Sequence, residues 1–172
     1  MVSPRHVRGV SLIEVLMAVL VFSVGLIGLS GLLITSFRSN QVGYQRTQAE
    51  FLAMSMADRM RANPLAVWSG GYNSPSYPIQ GAQACTEASA CTPAKVAVRD
   101  QVLWSTQLTT FLPNATASIA CTNGATPDTT QLLVRPPYAG NCIMRINWSE
   151  RAAGDSTHQD ATTRTYVWNF QP

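Results

Sequence analysis

The chain has 172 residues, a formal net charge of +3, 46% hydrophobic side chains and 12% charged ones. That length supports one modest core once an apolar segment is set aside. Arg5 and Arg8 lie in the first nine residues, and beyond them ten Lys/Arg face nine Asp/Glu; this near balance leaves no basic footprint for nucleic acid.

The chain begins with a short basic leader containing Arg5, His6 and Arg8, followed by Gly9. From Val10 to Phe37 there are 28 residues with one charge, Glu14. About 20 apolar residues suffice to span a bilayer. The positive-inside rule keeps the basic leader cytoplasmic and exports the remainder. A cleavable secretory signal has a charge-free apolar region of about 7–15 residues and a small-x-small cleavage site. Here the run is longer, contains Glu14, and continues into Thr35-Ser36-Phe37-Arg38 without such a site. An ordinary anchor gives no reason for Glu14 either, since a charge at the bilayer centre costs roughly 2.5–3.5 kcal/mol.

Gly9-Val10-Ser11-Leu12-Ile13-Glu14-Val15 resembles the class III signal of type IV pilins and type II secretion pseudopilins. The resemblance implies cleavage between Gly9 and Val10 by a prepilin peptidase, N-methylation of Val10, and Glu14 as the fifth residue of the mature chain. Val10 departs from the phenylalanine usual in the family. Cleavage would leave a cationic amine on Val10 at a helix start, four residues from Glu14 and within reach of it or of a neighbour's counterpart. The helix N-terminus favours a carboxylate in its first turn, and a cationic partner makes a buried acid tolerable. The resemblance implies that the partner amine belongs to an adjacent subunit, which makes Glu14 an assembly charge.

The helical pattern continues past the apolar run. Ala49, Leu52, Ala53, Met56, Ala57 and Met60 form one apolar stripe, with Glu50, Asp58, Arg59 and Arg61 off it. Asn63-Pro64 stops the helix, because proline disfavours the α region for the residue before it. Gly25, Gly28 and Gly31 soften the apolar half, at roughly 0.8–1 kcal/mol each in water relative to alanine, and permit close helix–helix approach in a membrane. Residues 64–95 read as loop. A second helix is expected over Val96–Leu112, with Trp104, Leu108, Phe111 and Leu112 on one side and Pro113 as its stop. Strands are expected at Thr116–Cys121, Gln131–Arg135, Cys142–Ser149 and Thr163–Phe170, the last two alternating with period 2. Glu150–Thr162 reads as a loop.

Four cysteines, Cys85, Cys91, Cys121 and Cys142, lie on the exported side, where thiols oxidise. None forms C-x-x-C and neither histidine is near them, which disfavours zinc. Of the three possible pairings, Cys85–Cys91 and Cys121–Cys142 are expected. Asp155, His158 and Asp160 sit in a Gly/Ser/Thr-rich stretch with no nucleophile and read as a solvated loop. Asn114-Ala-Thr and Asn147-Trp-Ser match a common glycosylation triplet and carry little weight. No catalytic constellation and no cofactor site are present, so no enzyme activity is expected.

Long helix, loop, then antiparallel sheet is the order that the pilin resemblance implies. It predicts an α+β type IV pilin fold with residues 1–9 as leader, 10–37 as transmembrane and assembly helix, 38–63 as its amphipathic periplasmic half and 64–172 as a disulfide-pinned head. Ala57-Asp58-Arg59-Met60-Arg61-Ala62-Asn63-Pro64 resembles a segment of PilV-type minor pilins, as do Asp100…Trp104…Leu108…Leu112-Pro113 and Ile146-Asn147-Trp148-Ser149-Glu150-Arg151. That resemblance implies an inner-membrane protein that enters a pilus fibre, supports pilus initiation, twitching motility and adhesion, and partners other minor pilins, the major pilin, prepilin peptidase, the assembly machinery and a tip adhesin. The alternatives are a type II secretion minor pseudopilin and a DNA-uptake pilus component, the latter disfavoured by the balanced charge.

Overall fold

The computed structural model describes residues 9–81, 91–122, 130, 133–134, 138–151 and 161–172. Helix α1 runs Leu12–Ala62, unbroken because no proline occurs between residues 12 and 62. It ends at Asn63, whose carbonyl accepts the N–H groups of Ala66 and Val67 and so opens a second, short helix, α2, Pro64–Trp68. Pro64 takes the first helical position, where its missing N–H leaves no bond unmade. The short helix closes in a Schellman motif: Gly70 and Gly71 donate to the carbonyls of Val67 and Ala66, and Gly70 has φ +72°. Glycine supplies that left-handed turn without a Cβ penalty.

Strand β1 is Ser74–Tyr77 and helix α3 is Pro93–Phe111. The side chain of Thr92 accepts the Lys95 N–H, and Pro93 fills the first turn of α3, a Thr-Pro start that sets the helix three residues earlier than periodicity alone predicts. Strands β2 (Thr116–Cys121), β3 (Cys142–Arg151) and β4 (Ala161–Phe170) complete a four-stranded antiparallel sheet in the order β1-β2-β3-β4.

The chain divides into two compact units, Met1–Asn40 and Gln41–Pro172. In the first, the described part of the apolar run exposes its large side chains on every side. In the second, the six stripe residues Ala49, Leu52, Ala53, Met56, Ala57 and Met60 are all buried. They join Trp104 and Leu108 of α3 and Ile119, Met144, Ile146 and Phe170 of the sheet in a single core. The architecture is α+β, a long N-terminal helix on a small antiparallel sheet.

Three differences from the sequence reading have physical causes. Residues 64–81 are not plain loop: α2 and β1 bury Trp68, Tyr72 and Tyr77. Leu133 and Val134 are exposed and lie in a turn closed by the Leu133 N–H on the Thr130 carbonyl, so they form no strand; the rest of the expected strand at 131–135 lies outside the described residues. The β3–β4 pairing reaches Arg151↔Ala161, two residues beyond the expected end of β3. Glu150, the first residue of the expected Glu150–Thr162 loop, is instead a strand residue 3% exposed, with Arg46 and Arg164 both paired to it.

Candidate functional site

The N-terminal segment is built from backbone upward. Gly9, Val10 and Ser11 precede α1 and are exposed, Val10 at 70%. The Ser11 carbonyl accepts the N–H groups of Glu14 (3.0 Å) and Val15 (3.3 Å), which makes Ser11 the N-cap. Ser11-x-x-Glu14 also has capping-box spacing, a signal for the helix start that hydrophobicity does not give. Glu14 therefore sits in the first turn, where the helix dipole stabilises a carboxylate by about 0.3–1 kcal/mol. Among the described residues no cation pairs with Glu14. The junction expected from the sequence, Gly9-Val10, is thus exposed non-helical backbone just before a helix start, with Glu14 in the first turn.

The helix beyond it is suited to an apolar surrounding. The Ser23 hydroxyl donates to the Val19 carbonyl at 2.7 Å, Ser30 to Leu26 at 2.8 Å and Thr35 to Leu32 at 2.8 Å. These hydroxyls are satisfied within the helix itself, as a bilayer requires. Among the described residues, nothing beyond the helix's own nearby backbone would meet a Cβ at Gly25, Gly28 or Gly31 within 4 Å. A helix apolar on every side needs cover from outside, and α1 is long and apolar enough to cross a membrane.

In the head unit, the sequence segments singled out above prove to be structural joints. Arg59 pairs with Asp100 at 3.2 Å, and Asp100 accepts the Tyr72 hydroxyl at 2.7 Å. Asn63 donates to the Pro93 carbonyl (2.8 Å) and to the Tyr72 oxygen (3.2 Å). Burial, then the Asp100 carboxylate, raises the Tyr72 pKa above its ordinary value. Gln101 donates to the Gly71 carbonyl and to Tyr77, both at 3.0 Å, and burial pushes Tyr77 up to about 12. Asp58 and Arg61 form an exposed pair at 2.9 Å. On the α1 face away from the core, Tyr44, Phe51 and Met54 remain exposed.

Cys121 and Cys142 are disulfide-bonded across the β2–β3 ladder, with Cα atoms 4.0 Å apart. Cys91 is also disulfide-bonded; Cys85, and with it the expected Cys85–Cys91 pairing, lies outside the described residues. Asp155, His158 and Asp160 lie outside them too. Among the described residues no His/Cys/Asp/Glu group could hold a metal ion. Asn147 is a strand residue whose Oδ1 accepts the Thr165 hydroxyl at 2.7 Å. Asn114 adopts φ 50°, a conformation in which asparagine is enriched.

An exposed junction, a helix that begins with an uncovered apolar run, and a small α+β head fit membrane anchoring and assembly. Residues 4–30 match the prokaryotic N-terminal methylation motif, and residues 31–102 match the Tt1218-like type IV pilin family. No curated protein and no solved structure matches the chain. Together the two matches run through residues 4–102 and support a type IV pilin.

Proposed function

We propose that the chain is a minor pilin of the PilV type, inserted in the bacterial inner membrane with residues 1–9 cytoplasmic and the head periplasmic, then incorporated into a pilus fibre. The observation that carries this reading is the methylation motif joined directly to a pilin match, with Glu14 in the first helical turn. Prepilin peptidase cuts between Gly9 and Val10 and methylates the new Val10 amine. Glu14, beside which no cation stands among the described residues, neutralises the Val10 amine of a neighbour. A carboxylate left unpaired among packed apolar helices is costly, so the pair fixes subunit register as well as energy. The uncovered apolar run from Val10 to Phe37 packs with other pilin helices, and residues 38–63 carry it into the disulfide-pinned head, 64–172.

In this role the subunit works with other minor pilins, the major pilin and the inner-membrane assembly machinery to initiate pili, with twitching motility and adhesion as outputs. Catalysis has no part in it. Complementing a deletion strain with Glu14→Ala tests the mechanism. The variant should be processed like the parent yet be largely missing from sheared fibres, with fewer pili on imaging. Parental incorporation and piliation would remove the docking role.

A further inference from the structure

The core of the head gives way to charge at one level on three elements. On α1 the buried stripe begins at Ala49; Arg46 stands one turn before it, and Glu50, four residues after Arg46, shares the Arg46 face. On β3 the buried residues run Met144, Ile146, Trp148 and then Glu150, and opposite them on β4 stand Trp168, Tyr166, Arg164 and Thr162. At that level a cleft of about 370 Å³ opens between Arg46, Thr47 and Glu50 of α1 and Trp148, Arg164 and Tyr166 of the sheet. Its size is that of a small-molecule pocket.

Glu150 organises the cationic side of the cleft. Its buried carboxylate accepts Arg46 Nη2 at 3.0 Å and Arg46 Nε at 3.4 Å on its two oxygens, and Arg164 Nε lies 3.4 Å from the first of them. Two guanidinium groups on one carboxylate leave one positive charge over. Both arginines are half-exposed, and among the described residues Arg46 Nη1 and the two Nη groups of Arg164 make no hydrogen bond. The third donor is Trp148, 4% exposed, whose indole N–H is buried without an acceptor. A buried donor left unmade is costly, and the equally buried Trp104 avoids this by bonding the Leu52 carbonyl. Glu50 is exposed and lies close enough to Tyr166 that burial, then this carboxylate, raises the tyrosine pKa. It opposes a second negative charge in the cleft.

We propose that this cleft binds a small organic acid as its monoanion, the carboxylate seated between Arg46 and Arg164 against the Trp148 indole and the body along the Tyr166 ring. The unmade groups are donors, which selects an acceptor. One surplus positive charge, with Glu50 nearby, selects a single negative charge. Planar guanidinium forks suit a carboxylate, the group that Glu150 already presents to them. The cleft is larger than a bare carboxylate needs, so a body of a few carbons enters with it.

Binding here is independent of whether Gly9-Val10 is cleaved, so its failure and the failure of the pilin reading are separable. Nitrogen–proton spectra of the full-length chain in dodecyl maltoside micelles resolve the indole signals of Trp68, Trp104, Trp148 and Trp168, and Trp148→Phe identifies the signal of Trp148. In a titration with sodium butyrate at ionic strength held constant with sodium chloride, that signal should move downfield as the N–H gains an acceptor. It should saturate with a Kd of about 1–10 mM, while Trp104, already bonded to Leu52, stays fixed. Arg46→Gln and Arg164→Gln each leave Glu150 one arginine, so the buried carboxylate stays paired and the Trp104 signal should keep its place. Either variant should raise the Kd about tenfold. Glu50→Gln, on the exposed side, should lower it about two- to threefold. A Trp148 signal that stays still, moves without saturating, titrates equally in both arginine variants or binds no tighter in Glu50→Gln overturns the proposal. Tighter binding of dimethyl phosphate than of butyrate overturns it too, and makes the cleft a phosphodiester site.

Discussion

The indole N–H of Trp104 donates to the backbone carbonyl of Leu52 at 2.9 Å, and both residues are buried. One side chain of α3 thereby fastens onto the stripe that α1 presents to the core. The Trp104 ring also stands edge-on to Tyr77 at 5.1 Å, so a single residue joins α1, α3 and the end of β1. Trp104→Phe keeps an aromatic ring but loses the hydrogen bond and some volume. It should lower head stability by about 2 kcal/mol in urea titration. A change below about 0.5 kcal/mol would mean that the indole bond is dispensable.

Asp100 serves two partners, Arg59 and the Tyr72 hydroxyl. Asp100→Ala removes the short acceptor of a buried hydroxyl, which keeps only its weaker Asn63 and Arg59 carbonyl contacts, and leaves a half-buried guanidinium without its carboxylate; it should cost about 2–3 kcal/mol. Tyr72→Phe in that background should add much less than it does alone. A double-mutant cycle with no coupling would contradict the network.

Alkaline pH should unfold the head early. Tyr77 is raised to about 12 and Tyr72 is raised as well, so the native state retains protons that the unfolded chain loses near pH 10. The stability this contributes is complete below pH 10 and falls as pH rises toward about 12, with a slope of up to about 1.4 kcal/mol per pH unit for each tyrosine. Urea midpoints measured from pH 8 to pH 11.5 should be flat at first and then drop. In Tyr77→Phe, less stable at neutral pH, the drop should be shallower. Unchanged midpoints above pH 10 would contradict burial of both hydroxyls.

The Cys121–Cys142 bridge closes a 21-residue separation. Loop-closure entropy assigns such a link about 3 kcal/mol. Cys121→Ala with Cys142→Ala should lose roughly that amount in thermal or urea unfolding while keeping the sheet's circular dichroism. An unchanged midpoint would show that the strands hold that end unaided.

Gly140 marks a close approach that no side chain can share. A Cβ there would overlap the Thr122 carbonyl and the Tyr138 ring, and the Tyr138 hydroxyl donates to that same carbonyl. Gly140→Ala should destabilise the head by about 1–3 kcal/mol, read as a lower urea midpoint. A neutral substitution would place the Tyr138 loop further from β2.

Much of the fold was legible because periodicity is a local property. The stripe from Ala49 to Met60 is buried residue for residue as helical spacing predicts, and β2 begins and ends where alternation and turns place it. What escaped was decided by distant partners. Glu150 belongs to a strand only because Arg46, more than a hundred residues earlier, and Arg164 neutralise it. Ser74-Pro75-Ser76-Tyr77 has little strand character of its own and is held by pairing with β2 and by the Gln101 bond to Tyr77. The Thr92-Pro93 start of α3 and the Ser11-x-x-Glu14 cap were present as local signals. At the N-terminal site the residues are legible but a partner is not: among the described residues no cation pairs with Glu14, and the one proposed for it is the amine of another subunit.

Intact-mass and N-terminal peptide analysis of the protein purified from its native membrane tests the central claim most directly. The account predicts a mature chain that begins at Val10, lacks residues 1–9 and carries one methyl group on its N-terminal amine. A chain that retains Met1–Gly9, or one cut within or after the Val10–Phe37 run, would contradict it.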